Sequence, residues 1–181
     1  MIFYAVSLAV TRSPQSICTT TQTEDAFYSV YPAVDPSQLI SNQAFQGKRV
    51  IVTGASRGIG EDIAVTFARA GASVVLVART ESQLDAVESR ILEHVQMRSL
   101  ESCSGRDDPA KVEVAVTRAV ERFGGVDVLV AVAGTARGIT VAFSQTDPYD
   151  WWNTLEINLR GVFNVVRYAL PHLEHMVASS Q

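Results

Sequence analysis

The sequence predicts an α/β fold, a doubly wound parallel sheet of about four strands that is incomplete on its C-terminal side. Three observations predict it. From Lys48 onward, apolar runs of strand length alternate with runs of helical period, the order that βαβ units require. The run Val50-Ile51-Val52 passes directly into T-G-A-S-R-G-I-G over residues 53–60 and then into a helical stretch over 63–70. The strand segments are apolar on both faces, as strands covered by helices on each side are.

Residues 1–46 differ in texture and are expected to form an extended leader without a fold of its own. They are rich in Ser, Thr, Gln and Pro, and Tyr31-Pro32 and Asp35-Pro36 favour extended or turn backbone. Phe27, Tyr28 and Tyr31 are its candidates for packing on the domain that follows, residues 47–181. The first strand is read at 49–53. The first helix starts near Gly58, with Ile63, Phe67 and Ala70 as its apolar stripe and Gly71 as its stop. Residues 73–78 (S-V-V-L-V-A) read as a buried strand. Thr80 and Gln83 form a capping-box pattern for a second helix, whose inner face is Leu84, Val87, Ile91 and Leu92.

A third strand is expected within 94–106, where the β signal is weak. Asp108-Pro109 then opens a helix with a stripe of Val112, Val116, Ala119, Val120 and Phe123, closed by Gly124-Gly125. The fourth strand is read at 126–132. Asp147-Pro148 caps a last helix over about 149–174, and no further strand segment follows it.

The glycine turn carries the chemistry. A strand, a tight turn and a helix N-terminus in succession aim backbone N–H groups and a helix dipole at one point, which suits a phosphate. Gly54 makes the turn, Gly58 admits a pyrophosphate close to the backbone, and Gly60 permits close helix–strand packing. The fold is therefore Rossmann-like, and a dinucleotide is the expected ligand. At the end of the second strand, where an acidic residue would select NAD, the chain has Ala78-Arg79. Arg57 lies inside the turn, so two guanidiniums flank the expected 2′-phosphate, and NADP (NADPH) is expected over NAD.

Composition excludes other classes. The 181 residues include 47% hydrophobic and 19% charged, with a net charge of −4, so the chain is globular and lacks the basic field of a nucleic-acid surface. Cys18 and Cys103 match no metal spacing, and no metal site is expected. The apolar start, residues 1–10, is too short to span a bilayer as a helix and carries no charge before Arg12, unlike the positive n-region of a signal peptide. None of the four asparagines lies in a glycosylation sequon. A cytoplasmic protein without a membrane partner is expected.

The sequence resembles the short-chain dehydrogenase/reductase family. The matching residues are T-G-A-S-R-G-I-G (53–60), V-A-R (77–79), D-V-L-V-A-V-A-G (127–134) and I-N-L-R-G-V-F (157–163), covering about residues 48–175. The leader with Tyr31-Pro32-Ala33-Val34-Asp35-Pro36 is similar to that of reductases in fungal secondary metabolism. The resemblance implies reduction of a small carbonyl, or oxidation of an alcohol, by hydride transfer with a nicotinamide cofactor. It implies cofactor contacts at Gly54, Ser56, Arg57, Gly58, Ile59, Gly60, Arg79, Ala133 and Gly134.

The family's catalytic set is a tyrosine, a lysine four residues later, a serine and an asparagine. Asn158 matches the asparagine and Ser180 is the candidate serine. Tyr168 is followed by A-L-P-H, and the only lysines are Lys48 and Lys111, so Tyr-x-x-x-Lys has no counterpart. Two further departures are Ala131-Val132-Ala133-Gly134 in place of N-N-A-G, and the lack of the aspartate after the third strand.

Two readings follow: the N-terminal portion of an NADP-dependent oxidoreductase, or a nucleotide-binding remnant without catalysis. A methyltransferase on a similar sheet fits Arg57 and Arg79 less well. His172 and His175 are expected to be solvated, one of Trp151 and Trp152 to face the core, and mid-helix Asn158 to have a buried hydrogen-bonding role. Leu159, Val162, Phe163 and Val166 are expected to lack partners in part, which predicts association of copies.

Overall fold

The computed structural model describes the backbone of residues 35–93, 100–103, 109–136 and 141–178. Four parallel strands, β1 (Arg49–Thr53), β2 (Ser73–Ala78), β3 (Leu100–Cys103) and β4 (Val128–Ala131), form one sheet in the order β3-β2-β1-β4. The helices between them are α2 (Gly58–Arg69), α3 (Glu81–Leu92) and α4 (Pro109–Phe123). A short α1 (Ser37–Ser41) precedes the sheet, and α5 (Pro148–Leu155) and α6 (Gly161–Ala178) follow it, joined by a π-helical turn at Glu156–Arg160.

Alternate residues of the strands face opposite layers, as the two-residue period requires. Val50, Val52, Val74 and Leu76 pack with Ala64, Ala68, Leu84, Val87 and Ile91. Ile51, Val75 and Val77 pack on the other face with Ala119 and Val126, flanked by Val120, Phe123 and Leu173. Helices therefore cover both faces, and the doubly wound sheet is the observed fold.

Several local expectations change on contact with tertiary structure. In α2 the fully buried residues are Gly60, Ala64 and Ala68, while Ile63 and Phe67 are half-buried. Small residues let the helix axis sit close to the sheet, and the larger ones flank it. Phe67 instead meets Phe45 edge to face, centroids 4.8 Å apart. Residues 35–46, assigned to the leader by composition, carry α1 and lie against the C-terminal end of α2. The Phe45 N–H donates to the Ala70 carbonyl at 2.9 Å, and Gln43 Nε2 donates to the Arg69 carbonyl at 2.9 Å.

Thr80 occupies the N-cap of α3, but its hydroxyl makes no capping bond, and Leu92 is exposed. β4 is shorter than the expected 126–132, and all four of its residues are half-buried. Within the sheet it pairs with β1 alone, so one of its edges lacks a neighbour among the described residues. Phe27, Tyr28, Tyr31 and Asp108 lie outside the described residues.

Candidate functional site

The turn after β1 is tied on three sides. The Gly54 N–H donates to the Val77 carbonyl at 2.7 Å, and the Ala55 N–H donates to the same oxygen at 3.3 Å, which anchors the turn to the end of β2. Gly54 has φ +73°, and a Cβ there would lie 2.7 Å from Ala133 Cα, so the turn also abuts the loop after β4. A Cβ on Gly60 would lie 2.7 Å from the Gly54 carbonyl carbon. Gly60 thus seats α2 directly on the turn.

Gly58 differs from these two. A Cβ on it would meet nothing within 4 Å, so the backbone there borders open space. Gly58 is also the first residue of α2, and no side chain caps this end. The first N–H groups of a helix have no partner within it, and the dipole adds positive potential at the same point. An open space lined by such groups fits an anion.

The loop after β4 forms the other wall. Thr53, buried at the end of β1, accepts the Ala133 N–H on its Oγ1 at 3.3 Å. Farther along, the Thr135 N–H donates to Asn158 Oδ1 at 2.9 Å, and Asn158 Nδ2 donates to the Thr135 carbonyl at 2.9 Å. The Asn158 amide thus matches the backbone of Thr135 as a neighbouring strand would. Asn158 sits in the π-helical turn, where the helix is one residue wider per turn. Gly134 lies beneath this clamp: a Cβ there would stand 3.3 Å from Asn158 Oδ1.

Both walls stand at the C-terminal ends of β1 and β4. The chain runs outward from β1 to β3, then returns to place β4 on the other side of β1. This reversal opens a crevice at the strand ends, where ligands of open α/β sheets bind.

Ser56 is half-buried in the turn, Arg57 and Ile59 are exposed, and Arg79 is exposed one residue beyond β2. Neither arginine makes an ion pair among the described residues. Ala133 is half-buried and Gly134 exposed, while Ser180 lies outside the described residues. The geometry therefore brings the turn, Ala133, Gly134 and Asn158 together. Trp151 and Trp152 are both exposed, against the expectation that one would face the core. Among the described residues no cluster of three metal-ligating side chains occurs, and no helix is long and apolar enough to cross a membrane.

The opposite end of β1 carries an ion pair. Asp127 Oδ2 accepts from the Arg49 N–H at 2.8 Å and from Arg49 Nε at 2.7 Å, and Lys48 Nζ stands 3.8 Å from Oδ1. Burial pushes the Asp127 carboxyl up, but the Arg49 hydrogen bonds and the two cations outweigh it and hold the group below its ordinary value.

Comparison with known proteins agrees with this arrangement. Residues 48–180 match the family model for short chain dehydrogenase. The chain belongs to the short-chain dehydrogenase/reductase family. It is 41% identical over 134 residues to the short chain dehydrogenase mpl6 of Monascus purpureus, covering 70% of this chain and 45% of that protein. With the short chain dehydrogenase tazN of Aspergillus terreus it shares 35% identity over 166 residues, 91% of this chain and 34% of the other.

Among solved structures, the glucose/ribitol dehydrogenase of this family from Brucella melitensis superposes with a TM-score of 0.63 at 34% identity, covering 71% of this chain and 53% of that one. Carveol dehydrogenase from Mycobacterium avium, solved with NAD, gives 0.67 at 25% identity, covering 72% and 50%. The chain thus spans about half the length of these relatives or less. Short-chain dehydrogenase/reductases are oxidoreductases that use a nicotinamide cofactor on small-molecule substrates.

Sequence reading did not find the partners that fix this chain's crevice and the base of β1. Thr53 Oγ1, Thr135 and the Arg49–Asp127 pair gave no local signal. An asparagine in mid-helix, which propensity disfavours, was the one residue that pointed to such a contact.

Proposed function

We propose that this chain is the cofactor-binding portion of an NADP-dependent oxidoreductase that interconverts a carbonyl and an alcohol. The observation that carries the reading is the open space at Gly58, at the uncapped start of α2, in a turn whose Gly54 abuts Ala133 in the loop after β4. The cofactor's diphosphate would rest on the turn over Ser56, Arg57, Gly58, Ile59 and Gly60. Arg57 and Arg79 would hold the 2′-phosphate, and Ala133 and Gly134 would border the ribose. When bound, NADPH supplies the hydride.

The protein's own task in such a reaction is to orient the cofactor and to deliver a proton to the developing alkoxide. General acid catalysis typically contributes ~10²–10⁴-fold. Residues 1–181 contain no Tyr-x-x-x-Lys. The Asn158 amide, engaged with the Thr135 backbone, is not an acid. We therefore expect the 181-residue chain to bind cofactor at most weakly and not to reduce carbonyls, and a longer product carrying Tyr-x-x-x-Lys to be active. This favours, for the chain as given, the second reading of a binding unit without turnover.

The domain would comprise residues 47–181 and work in the cytoplasm. A second copy is the expected protein partner, through the face that carries Leu159 and Phe163. A place in fungal secondary metabolism draws support from the leader motif and from the likeness to the Monascus and Aspergillus dehydrogenases.

Titrating NADPH and NADH against wild type and Arg79→Ala tests the cofactor choice. NADPH should bind more tightly to wild type, and losing Arg79 should weaken it by about 1.5–3 kcal/mol while leaving NADH nearly unchanged. Equal affinities in wild type would overturn the NADP assignment. Oxidation of NADPH by the 181-residue chain with a panel of ketones and aldehydes would overturn the binding-only reading.

A further inference from the structure

The first turn of α2 contains a carboxylate, Glu61, that none of the proposed binding roles uses. Gly58 and Glu61 are three residues apart, hence on the same side of the helix. At ~1.5 Å rise per residue, Glu61 lies roughly 5 Å along the axis behind the open space at Gly58. A negative charge there stabilises the helix itself, because it sits at the positive end of the dipole. The same charge opposes any anion that approaches that end.

Arg90, from α3, donates to this carboxylate: its Nη1 bonds Glu61 Oε1. The Glu61 side chain is only 18% exposed, so water screens it poorly, whereas Arg90 is 55% exposed. The arginine therefore counters a charge that solvent would leave largely intact. It also sits in the last turn of α3, where a cation suits that helix's own dipole. A role confined to α3 is the alternative that any test must separate.

We propose that Arg90 is a positioning residue for cofactor affinity, holding and neutralising Glu61 so that the start of α2 can accept a diphosphate. The inference rests on the reading of the glycine turn as the diphosphate seat. It assigns Arg90 to the ligand's charge, not to its shape, and places the control of that charge on a helix that need not touch the ligand.

The experiment compares wild type, Arg90→Ala, Arg90→Lys, Glu61→Gln and the double variant Glu61→Gln/Arg90→Ala. Each is titrated calorimetrically with ADP and with adenosine at low salt, and its thermal unfolding is recorded. Arg90→Ala should weaken ADP by roughly two- to fivefold, the range expected for one charge near a helix end. Adenosine, which has no phosphate, should not respond. Arg90→Lys should retain most of the affinity, and the loss in Arg90→Ala should shrink as salt rises. The double variant should recover wild-type affinity for ADP or exceed it, although the ion pair is still missing.

Recovery of ADP affinity in the double variant establishes a charge role, because a merely structural tie between the helices would stay broken. Unchanged ADP affinity in a folded Arg90→Ala overturns the proposal. So does a double variant that stays as weak as Arg90→Ala. If Arg90→Ala unfolds, Glu61→Gln alone decides, since ADP affinity below wild type contradicts the proposed repulsion. Failure of wild type to bind ADP at all is a different result, which overturns the seat itself and this inference with it.

Discussion

On one side of β1, β2 buries every residue but its first, and α3 covers it with Leu84, Val87 and Ile91. On the other side all four residues of β4 are half-buried, and the helices that follow present Trp152, Leu159 and Phe163 to solvent. The two flanks also hold different parts of the crevice. The turn hangs from the Val77 carbonyl and from Gly60, both on the closed flank, whereas the Asn158–Thr135 clamp belongs to the open one. The firmly packed flank thus carries the turn that would hold a cofactor's diphosphate. The loosely packed flank carries Ala133, Gly134 and Asn158, which would border the ribose and the proposed chemistry.

The most severe way to test this contrast removes a leucine from each flank. Leu76 in β2 is fully buried, and Leu76→Ala should destabilise by about 2–5 kcal/mol in urea denaturation. Leu129 in β4 is half-buried, so Leu129→Ala should lose roughly half as much, since less area leaves water in the first place. Equal losses would mean that β4 is covered as well as β2, and the contrast would collapse.

A pair of glycines sharpens the closed flank. In Gly60→Ala the new methyl would run into the Gly54 carbonyl, an overpacking that should cost about 1–3 kcal/mol and shift the turn. In Gly58→Ala the methyl points into open space, and only the φ of +57° opposes it, at about 1–2 kcal/mol. Thermal unfolding of the two variants should rank Gly60→Ala as the less stable.

The open flank is tethered to β1 at its base by Asp127. Because the folded protein lowers this carboxyl's pKa, the stabilisation is present above the ordinary carboxylate range and is lost as pH falls through the lowered value. Asp127→Asn should therefore be less stable than wild type by about 1–2 kcal/mol at neutral pH. The gap should begin to narrow below about pH 4 and close only below the lowered value, where the folded wild-type carboxyl is protonated. Amides of β4 should exchange faster in the variant before those of β2 do. A gap that persists undiminished at pH 3 would show that packing, not charge, ties the base.

How much of this was legible in the sequence follows the same division. The β1–turn–α2–β2 unit was read with its boundaries nearly as observed, because strand, turn and helix signals lie next to one another in the chain. Of its expected helical stripe Ala70 is buried and Ile63 and Phe67 pack half-buried against the core, but the fully buried Gly60, Ala64 and Ala68 were missed, since periodicity marks apolar residues and not how closely a helix approaches a sheet. The clamp joins residues 23 positions apart, and the Arg49–Asp127 pair joins residues 78 apart. No local pattern encodes either pairing. The half-burial of β4 was equally invisible, because an apolar strand looks the same in sequence whether or not a neighbour covers it.

The smallest effect on folding is expected where the open flank is most exposed. Trp152, Leu159 and Phe163 are each more than half exposed, and Leu159 and Phe163, four residues apart, are neighbours on the helix surface. The π-helical turn lies within this stretch, and Arg160 pairs with Glu156 beside the apolar stripe of Leu159 and Phe163. Such a stripe draws copies of the chain together. Replacing both Leu159 and Phe163 by Glu removes little buried area, so unfolding free energy should change by no more than about 0.5 kcal/mol. Sedimentation should nonetheless change. Wild type should show concentration-dependent association and the double variant should sediment as a monomer, with ADP affinity equal in both. A wild-type chain that remains a monodisperse monomer at high concentration would show that the exposed stripe does not drive assembly, and the open flank would then be open in solution as well.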